Sequence, residues 1–274
     1  MTSPSPAQPV ALTIAGSDSG GGAGAQADLK TFAALGVYGT SALTALTAQN
    51  PDGVTAIQPV RPDVVAAQIR AVRDYFTVGA AKTGMLHSSA IVAAVADALA
   101  EGAGRPPLVV DPVLAATRGA RLLDESAIDT LCRRLFPLAA LVTPNLAEAA
   151  LLAEMEVRRR EHLEPAARRL YDRYGVPMLV KGGHLEGDGR ATDCLFDGRS
   201  VEFFTGRVVE GVNTHGTGCT LSAAVAVFLL RGQPLAGAVG AAKHYLQGAL
   251  AAAVRVGKAR AINHGYAPVP CVPD

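Results

Sequence analysis

Six consecutive residues, His215-Gly216-Thr217-Gly218-Cys219-Thr220, combine a turn, a nucleophile and an opening for an anion. They follow a polar segment, residues 210–214, and run into an apolar, alanine-rich stretch, residues 221–230, that reads as a buried helix. A glycine-rich turn opening a helix leaves backbone N–H groups unpaired, and the positive end of the helix dipole strengthens their pull on a phosphate-like anion. Gly216 and Gly218 let the backbone approach that anion with no side chain between. Cys219 stands on the first turn, where the dipole is expected to lower a thiol pKa. Taken alone, the segment reads better as a plain loop-to-helix junction with a buried cysteine. A second glycine-rich segment near the N-terminus favours the anion reading.

The other candidates each follow a short apolar run. They are Gly16-Ser17-Asp18, Lys82-Thr83-Gly84-Met85, Asp111-Pro112, Thr143-Pro144-Asn145 and Lys181-Gly182-Gly183. Ligands of open parallel sheets bind beyond the carboxyl ends of strands, so this shared placement makes them site residues together. Singly they stay ambiguous. Lys181 either neutralises phosphate charge or is a loop lysine. Asp111 either holds Mg²⁺ or orders a turn. Asn145-Leu146-Ala147-Glu148 has the spacing of a capping box, which still allows Glu148 to face a metal-bound water. Asp28, inside a helix, reads by itself as an exposed carboxylate.

The elements that would position these residues alternate along the chain. Strands are expected at residues 10–15, 78–82, 108–111, 140–142 and 177–180, with 40–47 β-prone or mixed. Helices are expected at 25–35, from an Asp63 cap to about Phe76, at 88–100, 125–135, from Asn145, and at 164–174. Residues 191–197 and 200–205 form a hairpin around Asp197-Gly198, and two long helices close the chain. Repeated β-then-α units predict an α/β fold: a mostly parallel sheet with helices on both faces. Residues 1–9, rich in Ser and Pro, are expected to be a disordered tail rather than a signal peptide, and residues 10–274 one domain.

The 274 residues carry a net charge of +1 and only 18% charged side chains, which argues against nucleic acid and anionic membrane as partners. The longest apolar run, 221–230, is too short to span a bilayer. Cys132, Cys194, Cys219 and Cys271 include no C-x-x-C pair, so neither a zinc site nor a disulfide framework is expected, and a reducing cytoplasm fits. The arginine runs at 158–160 and 168–169 read as solvated surface.

Residues 16–28 loosely match the dinucleotide-binding pattern G-x-G-x-x-A. Ser17-Asp18 precedes the glycines, and no acidic residue ends a second strand at the expected distance. A P-loop fails as well, because neither Lys30-Thr31 nor Lys82-Thr83 follows the required glycine.

Taken in order, the motifs resemble those of the bacterial hydroxymethylpyrimidine/phosphomethylpyrimidine kinases, a thiamin-biosynthetic branch of the ribokinase superfamily. The resemblance rests on Ala15-Gly16-Ser17-Asp18, Gly21-Gly22-Ala23-Gly24, residues 26–32, Thr44-Ala45-Leu46-Thr47-Ala48-Gln49-Asn50 and Lys82-Thr83-Gly84-Met85-Leu86. It continues through Val110-Asp111-Pro112-Val113, residues 143–148, Val180-Lys181-Gly182-Gly183-His184 and residues 213–220, and reaches the His264-Gly265 region. It implies a ribokinase-like three-layer sandwich, ATP and Mg²⁺ as cofactors, and two successive phosphorylations of a small pyrimidine: the hydroxymethyl group, then the monophosphate. Gln49 would contact the aminopyrimidine ring, Asp28 and Gly16 would lie near it, and Met85 would wall it. Asn145 and Glu148 would orient Mg²⁺ and its waters, with Asp111 and Lys181 along the phosphates. Gly216, Thr217, Gly218 and Cys219 would form the anion hole. Many superfamily members carry Asp where Cys219 stands, assigned as base, and a thiolate could take the hydroxyl proton instead. We expect a homodimer. The sequence departs from the family at residues 114–119, where Met is more usual at Leu114 and a small residue at Arg118, and at Ser19-Gly20, which replaces a more usual Pro-Ser.

Three other readings compete: a pyridoxal kinase of the same fold, a dinucleotide-binding oxidoreductase using residues 20–24, and a protein that captures the pyrimidine without turnover.

Overall fold

Alternate residues of the short apolar strands feed two separate cores. In a computed structural model of the chain, the structure describes residues 8–102, 104–114, 125–183, 185 and 189–269. Strand β1 (Val10–Ala15) is followed by α1 (Gly24–Ala34), β2 (Tyr38–Leu43), β3 (Ala45–Asn50), β4 (Gly53–Pro59), α2 (Pro62–Tyr75), β5 (Val78–Thr83) and α3 (Ser89–Ala100). Next come β6 (Leu108–Val110), α4 (Glu125–Thr130), β7 (Leu141–Val142), α5 (Leu146–Ala153), α6 (Leu163–Tyr174) and β8 (Met178–Val180). The chain ends with β9 (Arg190–Phe196), β10 (Val201–Arg207), α7 (Thr217–Leu230), α8 (Leu235–Ala251), β11 (Val254–Val256) and β12 (Ala259–Ala261).

The main sheet runs β10-β9-β8-β7-β6-β5-β1-β2, parallel from β8 to β2, with β9 and β10 antiparallel. Leu12, Ile14, Val110, Val142 and Val180 face α2 to α6. Ala11, Val109, Leu141 and Leu179 face α1, α7 and α8. The period of two along each strand thus makes the sandwich. Helix α7 packs on α1, α8 and the sheet, which explains why its apolar residues show no single face.

Four expectations need correction. The helix expected from an Asp63 cap starts at Pro62 with Arg61 as its cap residue, because Pro suits the first helical position; Asp63 sits in the first turn beside Arg61. The helix expected over 125–135 is α-helical over Glu125–Thr130 and widens to a π-helix over Leu131–Leu135. Residues 40–47 divide between β2 and β3, and β3 pairs with β4, which was not foreseen. That ribbon is largely exposed on both faces of β4, so its sequence shows no alternation. The β11–β12 hairpin was missed for the same reason. Most of the proposed N-terminal tail, the departures at 115–119, and Cys271 lie outside the described residues. Among the described residues no helix is long and apolar enough to cross a membrane.

The C-terminal segment is tied to α7 by His264. Thr220 gives its hydroxyl hydrogen to the Gly216 carbonyl at 2.8 Å, so its oxygen accepts from His264 Nε2 at 3.1 Å. Tyr245 donates to the His264 carbonyl at 2.7 Å. Burial pushes the His264 imidazole down to about 4, helped by Lys30. A histidine with a depressed folded pKa contributes stability above its unfolded value, and that contribution fades as pH falls toward the folded value. Between pH 7.5 and 5 this group should account for about 2 kcal/mol of lost stability. Denaturant unfolding at both pH values should show a shallower loss in His264→Asn; parallel losses would remove His264 from the pH dependence.

Candidate active site

Two helix N-termini meet at the carboxyl ends of β1, β5 and β6. Gly216, at φ +87°, precedes α7, and a Cβ there would run into the Gly22 carbonyl oxygen. The two glycine-rich segments therefore interlock. The Gly24 N–H, at the start of α1, stands close enough to the Cys219 sulfur to favour its thiolate form.

The loop between β1 and α1 is organised by Asp18, 2% exposed. Its Oδ1 accepts from Gly20 N at 2.9 Å, and its Oδ2 from Gly22 N at 3.0 Å, Ala23 N at 2.8 Å and His215 Nε2 at 2.9 Å. Burial raises its pKa, but the bonds from His215, Ala23 and Gly20 outweigh that and hold it below the ordinary aspartate value. These glycine-loop donors are the ones a dinucleotide pyrophosphate would need, so the oxidoreductase reading loses its binding loop.

The start of α7 differs. Thr217 N–H bonds to Thr214 O at 3.1 Å and Thr220 N–H to Gly216 O at 2.9 Å, while Gly218 and Cys219 have no partner for theirs among the described residues. Those two donors are free to receive an anion. Thr217 contributes neither group to the expected anion hole, since its hydroxyl also bonds to Thr214 O, at 2.9 Å.

Two ammonium groups flank this hole. Lys181 Nζ donates to Asp111 Oδ1 at 2.7 Å and would lie 3.2 Å from a Cβ on Gly218; Asp111 Oδ2 would lie 3.5 Å from it. Lys82, fully buried, bonds both oxygens of Asp28 at 3.0 and 2.8 Å. Burial opposes charge on Lys82, but Asp28, Cys219 and Asp111 together hold its pKa above the ordinary lysine value. Thr13 Oγ1 donates to Asp28 at 2.5 Å. Asp28 is thus neither an exposed carboxylate nor open to a ring; at 0% exposure it acts through Lys82.

The expected low thiol pKa is also overturned. Burial pushes the Cys219 thiol up, and the pull of Lys82 does not compensate. The dipole argument counted one favourable charge and omitted desolvation.

Gly16 and Met85 adjoin: Gly16 N donates to Met85 O at 3.1 Å, and a Cβ on Gly16 would meet Met85 Cε. Gln49 reaches the site from β3, 3.2 Å from His215 Nε2. The Asn145–Glu148 capping box is present, with Glu148 N to Asn145 Oδ1 at 3.0 Å and Asn145 N to Glu148 Oε2 at 2.8 Å. Glu148 Oε1 also accepts from Leu114 N at 3.2 Å, and burial raises its pKa. Sequence reasoning placed Lys82, Asp18 and His215 within site motifs but gave none of them a role of its own. The signals were a lysine inside an apolar strand run and the histidine before the glycines.

A family model described as phosphomethylpyrimidine kinase matches residues 18–264. The chain belongs to this family. It is 49% identical to the hydroxymethylpyrimidine/phosphomethylpyrimidine kinase of Rhizobium meliloti over 261 residues, 95% of this chain and 96% of that one. The crystal structure of phosphomethylpyrimidine kinase from Clostridium difficile has a TM-score of 0.76 at 36% identity, covering 87% of this chain and 98% of that one. An ADP complex of Bacillus subtilis pyridoxal kinase has a TM-score of 0.85 at 34% identity, covering 95% and 98%. The fold is the ribokinase-like three-layer sandwich.

The interlock makes Gly216 sensitive. Gly216→Ala adds left-handed strain of order 1–3 kcal/mol and a backbone collision. Kinase turnover should fall more than ~100-fold if the anion hole is displaced by as little as an ångström. Unfolding midpoints and kcat measured together check this; near-normal kcat would mean that the interlock does not set the hole.

Proposed function

We propose that the protein transfers the γ-phosphoryl group of ATP to the hydroxymethyl group of 4-amino-5-hydroxymethyl-2-methylpyrimidine, and then phosphorylates the monophosphate to the pyrophosphate. The observation that carries the reading is the pair of unpartnered N–H groups at Gly218 and Cys219, flanked by Lys181 and facing a thiol. Phosphoryl transfer has a loose transition state, so fixed donors and cations supply most of the catalysis. The N–H pair receives the transferring phosphoryl group, and Lys181 balances its charge. Gln49 and Met85 hold the ring, with Gly16 giving room for Met85. The substrate oxygen forms a bond to the γ-phosphorus as the bond to ADP breaks, and Cys219, having first lost its own proton to solvent, accepts the hydroxyl proton as a thiolate. A cleft of about 610 Å³ between Gly211–Asn213 and the β11–β12 hairpin, bordered by Arg255, Lys258 and Arg260, suits the remainder of the nucleotide.

Among the described residues no three His, Cys, Asp or Glu side chains converge into a metal cage. That suits Mg²⁺, which keeps its waters and binds through one or two carboxylates plus substrate phosphates. The buried Thr143 hydroxyl, close in sequence to Asn145 and without a partner among the described residues, would add a further oxygen donor there. Asp111, Glu148 and Asn145 would hold the ion, which would neutralise phosphate charge.

The protein is further read as a cytoplasmic homodimer. A two-stranded ribbon is marginal alone, and β3–β4, with Leu46 50% exposed, stands apart from the main sheet. Light scattering of the purified chain tests the dimer.

A product assay with ATP and Mg²⁺ and either the pyrimidine alcohol or pyridoxal decides between kinase readings: pyrimidine pyrophosphate should accumulate, and pyridoxal phosphate as the main product would overturn the assignment. Absence of any turnover would leave only capture.

Two variants test the roles. Gln49→Ala should weaken pyrimidine binding at least tenfold more than ATP binding, because ring polar groups lose their partner; calorimetric titration with each ligand reads this, and equal losses would remove Gln49 from the ring. Cys219→Ser should slow the first phosphorylation by ~10²–10⁴-fold relative to the second, because only the first must deprotonate a neutral alcohol. Serine keeps the N–H, so small equal effects on both steps would leave Cys219 with the anion hole alone.

A further inference from the structure

His215 touches two groups that make conflicting demands on one nitrogen. Its Nε2 lies 2.9 Å from Asp18 Oδ2 and 3.2 Å from Gln49 Nε2. Asp18 is ionised and accepts on every bond it makes, so His215 Nε2 must carry a hydrogen. A protonated ring nitrogen cannot then accept from an amide nitrogen. The other end of the same amide has a matching conflict. Thr47 Oγ1 lies 2.7 Å from the Ser17 carbonyl and 3.2 Å from Gln49 Oε1. A hydroxyl has one hydrogen, and the carbonyl claims it at the shorter distance.

A half-turn of the Gln49 amide removes both conflicts. Its oxygen then shares the His215 Nε2–H with Asp18 Oδ2 as the longer arm of a three-centre bond, and its nitrogen donates to Thr47 Oγ1. The two ends of an amide have nearly the same shape, so hydrogen count is what decides between them. The ring of His215 is itself held: Asn213 Oδ1 accepts from its backbone N–H at 2.9 Å, and a Cβ on Gly22 would lie 3.1 Å from its Cδ2.

We propose that His215 is a positioning residue that sets substrate specificity by fixing which end of the Gln49 amide is oxygen. The inference rests on the reading of Gln49 as the ring contact. Once anchored at both ends, Gln49 has one oxygen lone pair and one N–H left for a ligand. An exocyclic amino group beside an unprotonated ring nitrogen matches both. The 4-oxo counterpart presents the reverse, a ring N–H beside a carbonyl. An anchored amide rejects it, whereas an amide free to turn accepts either.

The test measures kcat/KM for the first phosphorylation of the 4-amino pyrimidine alcohol and its 4-oxo counterpart, with ATP saturating, and the ATP KM in parallel. The wild type should prefer the amino compound by ~100-fold or more. His215→Leu should cut that preference at least tenfold while the ATP KM stays within twofold. His215→Gln, whose terminal NH₂ can replace the Nε2–H donor, should restore it. Thr47→Val, close in shape, removes the other anchor and should relax the preference too, which keeps the test open if His215→Leu does not fold. Equal losses on both pyrimidines, with an unchanged ratio in each variant, would give His215 a merely structural part and overturn the proposal. A wild type that phosphorylates both pyrimidines equally would also overturn it; a wild type that phosphorylates neither would instead bring down the kinase reading on which it rests.

Discussion

The approach of the α7 N-terminus to the α1 N-terminus, with no Cβ at Gly216 to hold it off the Gly22 carbonyl, fixes the geometry of everything else at the site. It carries the Cys219 sulfur to the Gly24 N–H and His215 to Asp18. The two helix ends then divide their donors. Those in the loop leading to α1 are consumed by a carboxylate of the chain itself, which stiffens that loop. Those of α7 at Gly218 and Cys219 remain open for an anion from outside. Two N-termini with both sets open would compete for the phosphate; with Asp18 in place only one can receive it.

Charge around this junction comes in fixed pairs. Lys82 with Asp28, Lys181 with Asp111 and Lys243 with Asp193 each bury an ammonium against a carboxylate. Such pairs seldom add stability, because the desolvation cost offsets the attraction, so their value here is positional. Lys82–Asp28 sets a cation near the Cys219 thiol without exposing it. Asp193 accepts from Gly182 N at 2.9 Å through one oxygen and from Lys243 at 2.7 Å through the other, which holds the turn after Lys181. A lysine held this way responds little when a phosphate arrives, which is the preorganisation that electrostatic catalysis requires.

Short-range order was legible in the sequence, and long-range pairing was not. The strands after which Gly16, Asp111, Asn145 and Lys181 stand were readable because each is an apolar run, and their carboxyl ends do converge. The capping box at Asn145 was readable because its two partners are three residues apart. Asp28 was misread because its partner Lys82 lies 54 positions away, and helix periodicity says nothing about a charge that a distant strand supplies. The thiol of Cys219 was misread for a related reason: burial is a property of the packed helices, while the dipole is a property of the local turn. Thr217 has the right spacing for the anion hole, but only the folded turn shows its N–H returning to Thr214.

A thiol raised by burial fits the proposed pair of reactions better than a strongly acidic group would. In the second step the nucleophile is already an anionic phosphate, and an ionised carboxylate at position 219 would repel it at close range in a partly buried site. A neutral thiol does not. In the first step the nucleophile is an alcohol, and in a loose transition state its proton becomes acidic only late, after much of the bond to ADP has broken. A base needed only late must still be a thiolate when it takes the proton, and Lys82, near Cys219, favours that form against the burial that opposes it. On this reading the unfavourable pKa of Cys219 is the compromise that lets one anion hole serve a neutral and a charged nucleophile in turn.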